Sequence, residues 1–376
     1  MRFLDQINKV PTPFNKEAGE AVALLFSSQP NKINQLIRGV GGCSPYLKGL
    51  LEIEYEWVLS ALGSQENILN AEFSRLKKTP SSEIKTALRV TKRRVALWSA
   101  LCDFSGIWEL NDVTNMLTQF ADLACQLALK VALETELSRG NIPGLEIDHS
   151  PEKTGMFVLA MGKMGAHELN YSSDIDLICF FDETQFLEEK YFDARKGFIR
   201  ATRLMSSILS DLTEDGYVFR TDLRLRPDPS VNPVCIATET AERYYESLGR
   251  TWERAAYIKA RVVAGDTKAG INFLHSLTPF VWRKYLDFAA IEDAHDIRLR
   301  IREHKGLGGA LKLLGHNIKL GSGGIREIEF FTQTRQLIAG GRDIDLQVRG
   351  TIDGLKNLSK KGWIDKSVSE KLTSHY

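Results

Sequence analysis

Apolar residues recur at helical spacing through the first hundred residues of this chain. Leu59, Leu62, Ile68 and Leu69 form one such set, and Leu88, Val95, Leu97 and Leu101 another. Residues 1 to about 111 are therefore expected to be helical, with Pro11, Pro13, Pro30 and Pro45 punctuating the early part. Lys92-Arg93-Arg94 falls inside this pattern and is expected on a solvated helix face, with a contact for an acidic partner as the alternative. Asn111-Asp112 opens a longer helix, Asp112 being the candidate N-cap. Val113, Met116, Leu117, Phe120, Leu123, Ala124, Leu127 and Val131 make one apolar stripe along it. Arg139-Gly140 ends it, the glycine supplying a left-handed cap.

The period then changes. Met156 to Met161 and Ile175 to Phe181 are short apolar runs that predict strands. A long helical pattern lies between Phe186 and Glu214, and Gly216 turns the chain into an expected third strand from Tyr217 to Leu225. Along it Tyr217, Phe219, Leu223 and Leu225 share one face, and Arg220, Asp222, Arg224 and Arg226 the other. Pro227, Pro229 and Pro233 break the pattern. Gly249 to Arg261 reads as helical, with Arg250, Arg254, Tyr257 and Arg261 near one face. From about residue 266 the chain is again helical, without convincing strands. Its end at Ser374-His375-Tyr376 follows helical sequence directly and reads as a cut inside a longer chain.

Composition narrows the class without naming it. The chain has 376 residues, 43% hydrophobic and 26% charged, which is ordinary for a soluble globular protein. Its 49 basic and 48 acidic residues give a net charge of +1, so bulk charge offers no argument for nucleic acid. The five cysteines are scattered and form no Cys-x-x-Cys, which fits reduced thiols in the cytoplasm rather than disulfides or a zinc site. No run approaches the length expected of a membrane-spanning helix, and Met1 to Gln6 lacks an apolar signal core.

The candidate chemistry lies in Gly162-Lys163-Met164-Gly165 and in Ser172-Ser173-Asp174-Ile175-Asp176-Leu177. Glycines after a strand let the backbone approach a phosphate, and Lys163 or Ser173 can donate to its oxygens. Asp174 and Asp176 point to one face of the next strand, and Asp222 on a neighbouring strand can complete a cluster of three carboxylates. Such a cluster is costly without cations, and hard oxygen ligands suit Mg²⁺, so a metal-dependent nucleotidyl-transfer site is expected, with Asp174, Asp176 and Asp222 as ligands. Lys163, Arg224 and Arg226 can neutralise phosphoryl charge. In Gly249 to Arg261, Arg250, Arg254, Tyr257 and Arg261 either line a phosphate pocket or pair with acids structurally, and Arg254 and Lys259 are candidate cofactor-binding residues. In Gly321-Ser322-Gly323-Gly324-Ile325-Arg326-Glu327-Ile328-Glu329, a glycine loop opens a helix, and Arg326 can hold a phosphate, a ribose or a substrate loop.

Together these residues resemble the family of bifunctional glutamine synthetase adenylyltransferase/adenylyl-removing enzymes, within the DNA polymerase β-like nucleotidyltransferase superfamily. The likeness runs through Gly162 to Leu177, Asp222 to Pro227, Thr251 to Arg261, His316 to Gly321 and Gly323 to Phe330, and covers nearly all of the chain after about residue 110. Ser322 departs from the family, in which a basic residue is common there, and this weakens the loop as a phosphate grip. The resemblance implies an α+β fold: a nucleotidyltransferase core with a small mixed sheet at 112–265, flanked by helical regions at 1–111 and 266–376. Family enzymes carry two catalytic halves, and the wording of Glu168 to Asp176 and of Ile325 to Glu329 is similar to the N-terminal, adenylyl-removing half. That half is implied to use inorganic phosphate to take AMP off a tyrosine of glutamine synthetase, releasing ADP, as a [glutamine synthetase]-adenylyl-L-tyrosine phosphorylase. Two Mg²⁺ are implied on Asp174, Asp176 and Asp222, with Mn²⁺ as an alternative, and Asp222 acts as a ligand rather than a general base. Implied partners are glutamine synthetase, the PII signal protein, phosphate and ADP or ATP, with no nucleic acid and no membrane. Two alternatives remain open: AMP transfer from ATP to glutamine synthetase, and a PII-sensing module without catalysis.

Overall fold

The computed structural model describes residues 3–64, 68–146, 150–284 and 314–376. Residues 285–313 of the expected C-terminal helical region lie outside the described residues. The chain divides into two compact units that interleave along the sequence. Unit 1 comprises Met1–Thr135, His167–Asp174 and Ala201–Thr221; unit 2 comprises Glu136–Ala166, Ile175–Arg200 and Asp222–Tyr376.

Unit 1 is built on helices α1 (Phe3–Gln6), α2 (Lys16–Leu25), α3 (Asn31–Cys43), α4 (Pro45–Ile53), α5 (Tyr55–Gly63), α6 (Ile68–Lys77), α7 (Ile84–Phe104) and α8 (Leu110–Ser138), whose last three residues belong to unit 2. Local chemistry starts several of them. Asn15 accepts from the Ala18 amide ahead of α2, and Ser44 accepts from the Leu47 amide with Pro45 at the first helical position. The expected stripe of α8 is buried at Val113, Leu117, Phe120, Leu123 and Ala124. Asp112, the expected N-cap, sits inside the first turn and accepts from the Glu109 amide at 3.0 Å, because the helix begins at Leu110. Gly140, at φ +67°, follows the helix end as expected.

Contrary to expectation, α8 is long and apolar enough to cross a bilayer by length and composition. Its small and apolar side chains explain this differently: 67% of that window is buried inside the protein, as in a core helix.

The basic triplet also differs from expectation. Arg93 donates to Glu54 at 3.0 Å and to Asp215 at 2.8 Å, and Arg94 to Glu54 at 2.8 Å and Glu72 at 2.9 Å. Lys92 lies over the Tyr217 ring, 4.8 Å from its centroid. These cations are absorbed by acids and an aromatic ring of their own unit. Desolvated carboxylates such as Glu54, 5% exposed, need this pairing.

Unit 2 carries the sheet. Its elements are β1 (Met156–Ala160), α9 (Gly162–Gly165), β2 (Ile175–Phe181), α10 (Glu188–Ser210, of which residues from 201 belong to unit 1), β3 (Thr221–Asp222, of which Thr221 belongs to unit 1), β4 (Cys235–Ala237), α11 (Thr238–Ser247), α12 (Thr251–Tyr257), β5 (Arg261–Gly265), α13 (Thr267–Ser276), α14 (Thr278–Val281), α15 (Ile325–Ala339), α16 (Thr351–Lys360) and α17 (Lys366–His375). The five strands form a mixed sheet in the order β3-β2-β1-β5, with β4 also pairing with β2. β1 runs antiparallel to both β2 and β5, and β4 runs parallel to β2. The α+β expectation with a small mixed sheet holds.

Helices cover both faces of the sheet. Phe157, Leu159 and Phe180 pack with Tyr245, Tyr257, Phe273 and Phe280, while Phe181 stacks on Phe198 of α10 at 4.9 Å. This two-sided burial is why β1, and β2 from Leu177 onward, read as unbroken apolar runs.

Two expected elements are replaced. The strand expected from Tyr217 to Leu225 shrinks to Thr221–Asp222. The amides of Val218 and Phe219 both donate to the Leu209 carbonyl, which leaves them no strand partner. The helix expected through Arg261 ends at Tyr257, and Arg261 instead opens β5.

Candidate active site

Two glycines shape the turn after β1. The Met161 amide donates to the Asp176 carbonyl at 2.9 Å, which pins the turn to β2. Gly162 has φ +54°, and a Cβ there would stand 2.8 Å from Asp176 Oδ2. At Gly165 a Cβ would stand 1.9 Å from the Lys259 carbonyl oxygen and 2.7 Å from that of Ala160. Only glycine permits these approaches, so the turn lies against the Asp176 carboxylate and the Lys259 backbone.

The three aspartates divide between the units. Asp174 belongs to unit 1, where its carboxylate pairs with the Arg220 guanidinium; Arg220 Nη2 also donates to the Ser172 carbonyl at 2.7 Å. Asp176 and Asp222 belong to unit 2. Asp176 is the second residue of β2 and half-buried, and Asp222 ends β3, the strand beside β2. Arg224 Nε reaches both Asp222 oxygens at 3.0 Å, and the Arg224 amide donates to Oδ1 at 2.8 Å. The Arg224 side-chain hydrogen bonds hold the Asp222 carboxyl below its ordinary range against the opposing effect of burial. Among the described residues no group of three His, Cys, Asp or Glu side chains is placed to hold a metal ion. The donor chemistry nonetheless fits a hard divalent cation: carboxylate oxygens, two of whose groups already meet positive charge. The Arg224 side chain is 84% exposed and that of Arg220 52%, so each can yield its place at little cost.

The expected phosphate-handling cations have distinct surroundings. Lys163 Nζ lies 2.5 Å from Tyr376 Oη and 3.4 Å from Glu329 Oε1. Lys259, 3% exposed, donates to Glu329 Oε1 at 2.8 Å and Thr351 Oγ1 at 3.1 Å. Arg226 spans its own loop, donating to the carbonyls of Asn232, Leu223 and Pro229. Arg254 is 6% exposed and lies over the Phe280 ring at 5.0 Å, and its Nε has no hydrogen-bond partner. Burial, and secondarily Arg283, lower its pKa. Ser173 Oγ donates to Asn170 Oδ1 at 2.8 Å. Arg326 is exposed at the start of α15, and the Gly323 amide of its loop is taken by Glu327 at 2.8 Å.

The structure thus brings Gly162, Lys163, Asp176 and Lys259 together in unit 2 and draws Glu329 to the two lysines. Thr351 and Tyr376 join them without any sequence signal, 188 and 213 residues beyond Lys163. Glu329 lay within a recognisable block, but nothing in that block pointed to Lys163.

Known proteins resemble this chain along nearly its whole length. Residues 35–276 match the family model described as glutamate-ammonia ligase adenylyltransferase, and residues 295–376 match that of GlnD PII-uridylyltransferase. The chain is 45% identical over 360 residues to the bifunctional glutamine synthetase adenylyltransferase/adenylyl-removing enzyme of Bradyrhizobium sp. strain BTAi1, covering 94% of this chain and 36% of that protein. It is 43% identical over 370 residues to the protein of that name from Agrobacterium fabrum, covering 96% and 37%. The chain therefore spans about a third of the length of these relatives. With identity sustained along nearly its whole length and the first model covering the glycine turn and all three aspartates, the chain belongs to the glutamate-ammonia ligase adenylyltransferase family.

Proposed function

We propose that this chain removes AMP from an adenylylated tyrosine of glutamine synthetase by phosphorolysis, giving ADP and the free tyrosine. The observation that carries the reading is the glycine turn laid against Asp176, with Asp174 two residues before it, in a member of this family. The direction rests on the wording of Glu168 to Asp176 and of Ile325 to Glu329, which is similar to the adenylyl-removing half.

In this reading Asp174, Asp176 and Asp222 hold Mg²⁺, which when bound supplies Lewis-acid polarisation and neutralises phosphoryl charge. Arg220 and Arg224 release their carboxylates and become available to the phosphate oxygens. Lys163 and Lys259 add positive potential beside the turn, where charge develops in the transition state. A phosphate oxygen forms a bond to the α-phosphorus, the bond from phosphorus to the tyrosyl oxygen breaks, and its electron pair leaves on that oxygen. Phosphate is already anionic, so no side chain is needed to deprotonate it.

We add PII as a partner because residues 295–376 match a family named for PII uridylyltransferase. A cytoplasmic setting accords with five cysteines that form no disulfide among the described residues. The family model's name favours one second reading, AMP transfer from ATP.

The test mixes the chain with AMP-modified glutamine synthetase and Mg²⁺, with and without phosphate, and follows ADP. Phosphate-dependent ADP is expected. AMP incorporation from ATP into unmodified synthetase, without phosphate-dependent ADP, overturns the direction; silence in both overturns catalysis by this chain.

A further inference from the structure

The surroundings of Lys163 are more specific than charge alone requires. Its ammonium donates to Tyr376 Oη at 2.5 Å and stands 4.5 Å from the centroid of the Tyr376 ring. The same phenol oxygen accepts from Thr351 Oγ1 at 3.2 Å and donates its proton to Glu329 Oε1 at 3.0 Å. A phenol has one proton to give and two lone pairs to fill, and all three are matched here. Lys259, 3% exposed, fixes two of the phenol's partners from behind by donating to Glu329 and Thr351. Burial alone raises the Glu329 pKa, but Lys259 and Lys163 outweigh it and bring the carboxyl to about 2, so the group stays an acceptor. An aliphatic hydroxyl would match the polar partners but offer no ring face to the ammonium.

We propose that Lys163, Thr351 and Glu329 form a binding pocket for a tyrosyl side chain, filled in this structure by Tyr376, and that the tyrosine of the protein substrate is released into it. This rests on the proposed removal of AMP from a tyrosine and names a residue set for recognising the leaving group. The position suits that role. Lys163 follows Gly162, whose Cβ position is 2.8 Å from Asp176 Oδ2, so the pocket adjoins the carboxylate turn. When the bond from phosphorus to oxygen breaks, the electron pair stays on the phenolic oxygen. Lys163, whose ammonium already donates to the phenol oxygen in this structure, gives that oxygen a proton and regains one from solvent. The pocket is complementary to the free phenol, because an ester oxygen has no proton for Glu329.

The test needs neither turnover, metal nor phosphate. N-acetyl-tyrosinamide is titrated by ligand-observed NMR into the unaltered chain, Tyr376→Ala, and Tyr376→Ala with Lys163→Met, with N-acetyl-phenylalaninamide as control. Tyr376→Ala is expected to bind the tyrosine amide about tenfold more tightly than either other protein, one charged hydrogen bond's worth, and to prefer it over the phenylalanine amide. Equal binding by all three proteins, or no preference for the phenol, overturns the pocket. If circular dichroism shows Tyr376→Ala to be unfolded, Tyr376→Phe serves instead. Its Lys163 should then be acylated faster by a limiting amine reagent, read by peptide mass spectrometry, and an unchanged rate overturns the proposal. ADP release without a tyrosine preference defeats the pocket and leaves the phosphorolysis reading standing. Tyrosine binding without ADP release does the reverse.

Discussion

Arg89 offers the sharpest test of how unit 1 is held together. It is 1% exposed, and its guanidinium donates to four backbone carbonyls: Lys85 at 2.7 Å, Gly216 at 2.8 Å, Ile208 at 3.1 Å and Asp211. It therefore clips α7 to the end of α10 and to the turn at 213–216. Arg89→Met keeps most of the stem volume and removes every donor. The consequences differ by carbonyl. Gly216 retains the Thr213 amide and hydroxyl as donors, and the Lys85 carbonyl, in the first turn of α7, faces the helix's own amides. Ile208 and Asp211 lose the donor that Arg89 supplies. At about 1–3 kcal/mol for each buried group left unsatisfied, and with a methionine refilling the stem, the expected cost is about 3 kcal/mol. The assay is amide hydrogen exchange of the segment holding Val218 and Phe219, whose amides donate to Leu209 at the end of α10. Their exchange should accelerate about 100-fold, since local opening reports that same free energy. Acceleration below about threefold would refute the reasoning, and Arg89→Lys should fall between the two.

Other changes probe unit 2. Gly165→Ala drives a Cβ to 1.9 Å from the Lys259 carbonyl oxygen; a loss of about 3 kcal/mol or more is expected in urea unfolding, and a change within about 0.5 kcal/mol contradicts the packing. Glu329, with its carboxyl brought to about 2, contributes stability that is complete above its unfolded pKa and is lost as pH falls through about 2. Glu329→Gln should therefore flatten the acid limb of stability between about pH 4.5 and 2, and an unaltered limb counts against the two-lysine cluster. Asp174→Asn and Asp176→Asn should each cut phosphate-dependent ADP release by about 100-fold or more, and a chelator should abolish it until Mg²⁺ is restored. Full activity in either variant would remove that aspartate from the site.

Legibility in the sequence followed the range of the forces involved. β1 and β2 were visible because helices bury both their faces, so every residue from Met156 to Ala160 is apolar. α8 was visible through its stripe. The alternation after Gly216 described side-chain burial correctly at Phe219 but not the backbone, whose amides turn back to Leu209. β5 was hidden because helical spacing of arginines persisted through Arg261, although the Lys259 and Ala260 amides already form turn bonds to Ala256 and Tyr257. Arg93 and Arg94 were read as solvated because their partners Glu54, Glu72 and Asp215 lie far away in the sequence. At the candidate site, Gly162, Lys163 and Asp176 were legible from local spacing. Tyr376 and Thr351 were not, since only the tertiary fold brings them to Lys163.

The order in which the sheet is made bears on how this protein survives its own synthesis. β1 and β2 leave the ribosome close together and can pair at once. The second edge of β1 stays open until β5 is made, about 80 residues later, which at about 5–20 residues per second is about 4–16 s. Throughout that interval an apolar hairpin, MFVLA against IDLICFF, presents an unpaired edge to its neighbours on a polysome. The amphipathic α10 emerges within the same interval and can shield the Phe181 face early. Slowing translation between α10 and β5 should therefore raise aggregation of nascent chains more than slowing it anywhere in the helical first hundred residues.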